Sequence, residues 1–231
     1  MKLAGLQKLT LLDFPGHVAC TVFTAGCNLR CPFCHNSELV LPERKPMLMD
    51  EEDFFSFLQK RQGILEGVCV TGGEPLLQQD IASFLRRIKE LGFAVKLDTN
   101  GCFPGVLREL VAQHLVDFVA MDIKNSPARY AQTAGIPNFD LAPVRESVDF
   151  LLSGVVDYEL RTTVAAQFHD EDSFRDIARW VAGAKRYALQ EFKDSGDILA
   201  GGLTPCSEEQ MQVFFSILKP LVPGAFLRGT E

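Results

Sequence analysis

The 231-residue chain has no surplus of basic charge. Its 23 Lys and Arg stand against 30 Asp and Glu, giving a net charge of −7 and a pI near 5.2. No run of Lys and Arg is dense enough to form a basic arm, so nucleic acid is not an expected partner. The opening "MKLAGLQKLTLLDFPG" lacks a long apolar stretch followed by a small-residue cleavage site, and no later apolar run reaches spanning length. The expectation is therefore a cytoplasmic protein with no membrane partner. Linkers, low-complexity segments and sequence repeats are missing as well. With 47% hydrophobic residues, a chain of this length can bury one full core, so a single domain over 1–231 is expected. Disulfides are the last expected absence: in a reducing compartment, seven cysteines read as ligands or reduced thiols.

What is present is an alternation of short β-rich runs with helix-period segments. "HVACTVF" (17–23), "GVCV" (67–70), "FAVKLD" (93–98), "DFVAMDI" (117–123), "DYELRTTV" (157–164) and "YALQEF" (187–192) read as strands. Each is followed by helical material: from Asp50, which offers an N-cap ahead of acidic residues, through "LLQQDIASFLRRIKEL", "PGVLRELVAQ", the region between Pro127 and Leu152, "DEDSFRDIARWVAG" and "SEEQMQVFFSILKPL". Six βα units imply an α/β fold with a mostly parallel sheet and right-handed crossovers. Periodicity leaves open whether the sheet curls into a partial barrel or stays flat and doubly wound. The irregular stretch 125–140 reads as a connector.

The polar oddities fall at the C-terminal ends of four successive strands. A loop at 26–36, "GCNLRCPFCHN", follows the first; "GGEP" (72–75), "DTNG" (98–101) and "MDIK" (121–124) follow or end the next three. In barrel-like α/β folds that edge is where catalytic groups converge. Cys27, Cys31 and Cys34 supply three thiolates, one short of a full iron–sulfur shell. A zinc knuckle would need a fourth ligand, and His35 is adjacent to Cys34, where simultaneous tetrahedral ligation is awkward. Gly72 and Gly73 allow close backbone approach, Glu74 offers a carboxylate to an ammonium group, and Pro75 suits a first helical turn; a plain strand-to-helix turn is the bland alternative. Asp98, Asp122 and Lys124 would be costly at buried strand ends unless paired, so a structural ion-pair network competes with a binding role. Cys20 and Cys69 read as buried thiols, while Cys102, Cys206, Gln190 and Lys193 carry no assignment. His17, His114 and His169 fall in no ligand spacing, and Arg30 reads as solvated.

CxxxCxxC after the first strand, with GGE after the second, resembles the radical S-adenosylmethionine (SAM) enzymes. The resemblance runs from about "LTLLDFPG" to "YALQEF". It implies a partial (β/α)6 TIM-type barrel of the radical SAM kind and a [4Fe-4S] cluster on Cys27, Cys31 and Cys34. The iron left open by three ligands would chelate SAM, and cleavage of SAM would yield a 5′-deoxyadenosyl radical. Gly72, Gly73 and Glu74 would hold the SAM amino group, and Phe33 and His35 would lie near the adenine. Lys124 and Asp98 would contact SAM, with Asp98, Thr99 and Asp122 around a monovalent cation.

"DFPG", "CHN" and "LDTNG" resemble the activators of glycyl radical enzymes, and the opening most resembles the anaerobic ribonucleoside-triphosphate reductase activating proteins. That resemblance implies a partner polypeptide as substrate and a flavodoxin or ferredoxin as electron donor. A pyruvate formate-lyase-type activator and a small-molecule enzyme like 7-carboxy-7-deazaguanine synthase are the alternatives. An electron-transfer scaffold is a third, and it would have no need for GGEP, DTNG and MDIK at one edge. Only Cys69 lies between Cys34 and Gly72, so a ferredoxin-like insert is not expected.

Overall fold

A computed structural model of the chain describes residues 1–41, 44, 46–194, 196 and 198–229. Eight strands form one sheet in chain order: β1 (Leu3–Thr10), β2 (Ala19–Thr24), β3 (Gly67–Gly72), β4 (Ala94–Thr99), β5 (Phe118–Asp122), β6 (Asp157–Val164), β7 (Tyr187–Glu191) and β8 (Ala225–Arg228). β1 pairs antiparallel with β2, and every later pairing is parallel. Each new strand joins beside its predecessor, as in a barrel. No pairing closes β8 onto β1 among the described residues, so the barrel is partial.

Side-chain alternation shows that the sheet curves around one cavity. Lys96 and Asp98 of β4, Glu159, Arg161 and Thr163 of β6, Gln190 of β7 and Arg228 of β8 all line it. Their neighbours one residue along, such as Val95, Leu97, Tyr158, Leu160 and Leu189, pack in the apolar core. A strand presents successive side chains to opposite faces, so an inner polar face and an outer apolar face require that spacing. The outer face is covered by α2 (Glu51–Gln59), α3 (Ile81–Glu90), α4 (Pro104–Ala112), α6 (Ala142–Leu152), α7 (Glu171–Trp180) and α8 (Glu208–Leu218), with the short α1 (Ser37–Val40) and α5 (Tyr130–Ala134) at the rim. Phe54, Phe84, Phe174 and Phe214 are fully or almost fully buried beneath these helices.

Helix starts follow local chemistry. Asp50 accepts from Glu52 N–H at 2.8 Å, Asp170 accepts from Ser173 N–H at 2.9 Å, and Ser207 and Gln210 form a reciprocal capping box. The six expected strands appear as β2 to β7. The helix expected over 76–91 is instead split into a 3₁₀ turn at Pro75–Leu77 and α3 from Ile81, because Glu74 caps the short turn and Gln78 is extended. β1 and β8 extend the expected sheet at its two edges. No helix among the described residues is long and apolar enough to cross a membrane.

Candidate active site

The loop from Gly26 to Asn36 leaves β2 at the C-terminal rim and is tied on several sides. Gly26 N–H donates to Leu39 O at 2.7 Å, Arg30 N–H to Ala134 O at 2.9 Å, and Ala200 N–H to Pro32 O at 2.9 Å. Arg30 Nη1 donates to the carbonyls of Cys27 and Leu29, both at 2.7 Å, so this side chain staples its own loop and is not merely solvated. The stretch expected to be a connector buttresses the loop through α5: Ala134 O receives both the Arg30 N–H and a contact from the Cys31 thiol at 4.0 Å.

The three thiols face a cavity of about 770 Å³. Burial pushes the Cys27 thiol up to about 11 and that of Cys31 up to about 12, and raises that of Cys34; the Lys124 charge pulls all three back. Among the described residues no three of His, Cys, Asp and Glu converge as a clamp for a single metal ion. All seven cysteines are unbridged.

Every expected site residue lines this cavity except Glu74: Cys27, Cys31, Phe33, Cys34, His35, Gly72, Gly73, Asp98, Thr99, Asp122 and Lys124 are in its wall. Phe33 is otherwise buried, edge-on to Phe168 at 5.9 Å between ring centres, and His35 stacks on Phe192 at 5.5 Å. Burial holds the His35 imidazole below its usual value, which favours the neutral ring. Gln190 and Lys193, unassigned from sequence, belong to the same wall. Gly73 is required by space, because a Cβ there would stand 2.0 Å from Gly26 O.

Glu74 stands apart from this wall. Its carboxylate is fully buried behind the wall and accepts from Leu76 N–H (3.0 Å), Thr99 Oγ1 (2.9 Å) and Asn100 N–H (2.7 Å). With both oxygens engaged by protein donors, it ties the GGE loop to the end of β4. The expected cation ligands have partners within the protein. Asp98 is ion-paired with Lys96 and with Arg161 (3.1 Å), and Asp122 with Arg161 (2.5 Å) and Lys124 (2.8 Å). Burial alone would raise Asp122, but the Arg161 and Lys124 charges hold it far below the carboxylate range. Thr99 donates to Glu74 and accepts from Gly101 N–H. These groups form the ion-pair network that competed with a cation site in the sequence, and protein cations already neutralise both carboxylates.

Sequence reasoning passed over Arg161, Lys96 and Asn100. Arg161 carried a signal, being a charge in the middle of the strand "DYELRTTV"; Asn100 sat within the DTNG string without an assigned task. Cys20 and Cys69 are buried, as expected, and His169 is buried with Nε2 3.1 Å from Lys124 O.

Residues 21–181 match the Radical SAM superfamily. The chain belongs to that superfamily. It is 31% identical over 97% of its length to a candidate glycyl-radical enzyme activating enzyme of Methanocaldococcus jannaschii, covering 95% of that protein. It is 30% identical to a 7-carboxy-7-deazaguanine synthase of Koribacter versatilis over 66% of this chain and 64% of the other. A pyruvate formate-lyase-activating enzyme of Clostridium pasteurianum is 32% identical over 54% of this chain and 52% of its own. Among solved structures, Streptococcus suis SuiB bound to S-adenosylmethionine superimposes with a TM-score of 0.69 at 12% identity, over 89% of this chain and 48% of that one, which shows a shared fold. This radical SAM enzyme thus belongs to a family whose cofactors are a [4Fe-4S] cluster and SAM. Three cavity-facing thiols, with an ammonium group close enough to bias them, suit that pair.

Proposed function

We propose that this radical SAM enzyme generates a glycyl radical on a partner enzyme, most closely in the manner expected of an activator of anaerobic ribonucleoside-triphosphate reductase. The observation that carries the reading is likeness across 97% of the chain to an activating-enzyme relative, whereas likeness to deazaguanine synthases covers 46% to 73% of it. The opening "LQKLTLLDFPGHVACTVFTAGCNLRCPFCHNSELV", by its resemblance, favours the reductase over pyruvate formate-lyase as the partner.

In this reading Cys27, Cys31 and Cys34 hold the cluster. When bound, cluster and SAM together supply a strongly reducing electron and a carbon radical able to abstract hydrogen. The chain's own residues do the rest. Lys124, oriented by Asp122, offers an ammonium group to the SAM carboxylate. Gly72 and Gly73 bring bare backbone to the cavity wall, where a ligand amine can reach it. Phe33 and His35 give the adenine an aromatic boundary. Arg161 fixes Asp98 and Asp122 against each other, so the charges around the ligand are set before it arrives. The cavity continues past these groups to Glu159, Gln190 and Arg228, which leaves room for a peptide loop beside SAM. A flavodoxin or ferredoxin is the proposed electron donor.

The test is anaerobic. The iron-reconstituted protein is reduced, given SAM and the candidate reductase, and assayed for 5′-deoxyadenosine and for a glycyl doublet by electron paramagnetic resonance. Both products are expected, and Cys27→Ala, Cys31→Ala and Cys34→Ala should each lose both. Deoxyadenosine without a protein radical, on the reductase or on pyruvate formate-lyase offered in its place, would transfer the reading to a small-molecule substrate.

A further inference from the structure

Asn100 occupies a junction that none of the roles above requires. The residue is 5% exposed, and its backbone N–H and both side-chain polar atoms have partners. The backbone N–H donates to Glu74 Oε2 at 2.7 Å, and side-chain Oδ1 accepts from Cys102 N–H at 3.0 Å. The amide nitrogen donates to Asn28 Oδ1 at 2.8 Å and approaches Cys27 Sγ at 3.9 Å. Cys27 Sγ also receives Leu29 N–H at 3.4 Å. One residue thus joins the end of β4 and the buried Glu74, through its backbone, to the first cysteine of the loop, through its side chain. Its orientation is over-determined: with Oδ1 fixed by Cys102 and Nδ2 aimed by Asn28, a flipped amide would set donor against donor and acceptor against acceptor.

We infer that Asn100 is a positioning residue whose amide N–H points at the Cys27 sulfur and raises the reduction potential of the group the three cysteines bind. The inference rests on the assignment of Cys27 as a cluster ligand. A donor directed at a ligand sulfur stabilises the more electron-rich, reduced state, and hydrogen bonds to the sulfurs are among the levers that set cluster potentials. Asn100 itself is 5% exposed, so the dipole is weakly screened. Glu74 contributes indirectly, by fixing the backbone from which the amide projects.

The experiment uses the full chain, reconstituted anaerobically, with iron and sulfide counted and the cluster potential read by mediated titration under paramagnetic resonance. Asn100→Ala should keep its iron and titrate at a more negative potential. A tenfold loss in the reduction equilibrium would read as about 59 mV for one electron. Asn100→Ser guards against a folding effect, since its hydroxyl can still accept from the N–H two residues on but is too short to reach Cys27; the same negative shift is expected. Asn28→Ala, which frees the amide without removing it, should shift the potential less. An iron-loaded Asn100→Ala or Asn100→Ser at the wild-type potential overturns the inference. So does loss of iron in both, which would make Asn100 a tie for the loop and nothing more. A wild-type protein that takes up no cluster would instead bring down the ligand assignment itself.

Discussion

At the scale of single residues, Glu74 shows how burial decides between two readings of one motif. A carboxylate beside two glycines looks ready for a ligand's ammonium, yet here it closes the hydrogen bonds of its own turn and of β4. Burial pushes its pKa up to about 7 from an ordinary 4.5, against the pull of the donors from Asn100, Leu76 and Thr99. The folded protein therefore holds this proton more tightly than the unfolded chain does. Its contribution to stability is fully present below about 4.5 and is lost as pH rises through about 7. His35 and His169, both lowered chiefly by burial, drive stability in the opposite direction over part of that window. The informative quantity is therefore the difference between wild type and Glu74→Gln, which removes one titration and leaves the histidines. Wild type should lose on the order of 2 kcal/mol relative to Glu74→Gln between pH 4.5 and 7, read by denaturant unfolding across that range. Parallel curves would mean that Glu74 stays ionised throughout, with its three donors outweighing desolvation.

At the scale of elements, β2 to β7 and their helices were legible because period-2 and period-3.6 patterns are imposed by a two-layer fold. β1 was not, since only its end residues are buried and its middle runs from half-buried to exposed without alternating. β8 is four residues long, too short for a pattern. The cysteine loop was legible from ligand chemistry alone. Its support was not, because α5 lies in a segment whose contacts to the loop run through backbone atoms that carry no sequence signature. Gly135 marks that contact: it sits at φ +68° as the C-cap of α5, and a Cβ there would meet Arg30 O at 2.0 Å. Gly135→Ala should thus push the loop away from α5 while leaving the sheet intact. The expected outcome is a several-fold fall in iron retained after reconstitution, with the far-ultraviolet circular dichroism of wild type. Full iron content in the variant would show that the loop reaches its ligand geometry without α5.

At the scale of the whole molecule, two regions differ in what holds them. The sheet and its helices are closed by an apolar layer that includes Val68, Leu97, Val119 and Leu160, all fully buried without help from any ligand. The rim is closed by backbone ties between loops, such as Glu74 N–H to Gly26 O at 2.8 Å and Arg30 N–H to Ala134 O at 2.9 Å, around thiols that burial keeps protonated. A cluster bound to the folded chain and not to the unfolded one stabilises by mass action, and local opening concentrates where apolar burial is least. Hydrogen exchange on holo and apo protein should then differ at 26–36, 73–77, 100–102 and 130–135, with slower exchange in the holo form, and agree in β3 to β6. The wall around the iron would be a preformed cradle on a sheet that folds by itself. Protection lost across β3 to β6 on iron removal would reverse that order, making the three cysteines part of what folds the barrel and not only what it carries.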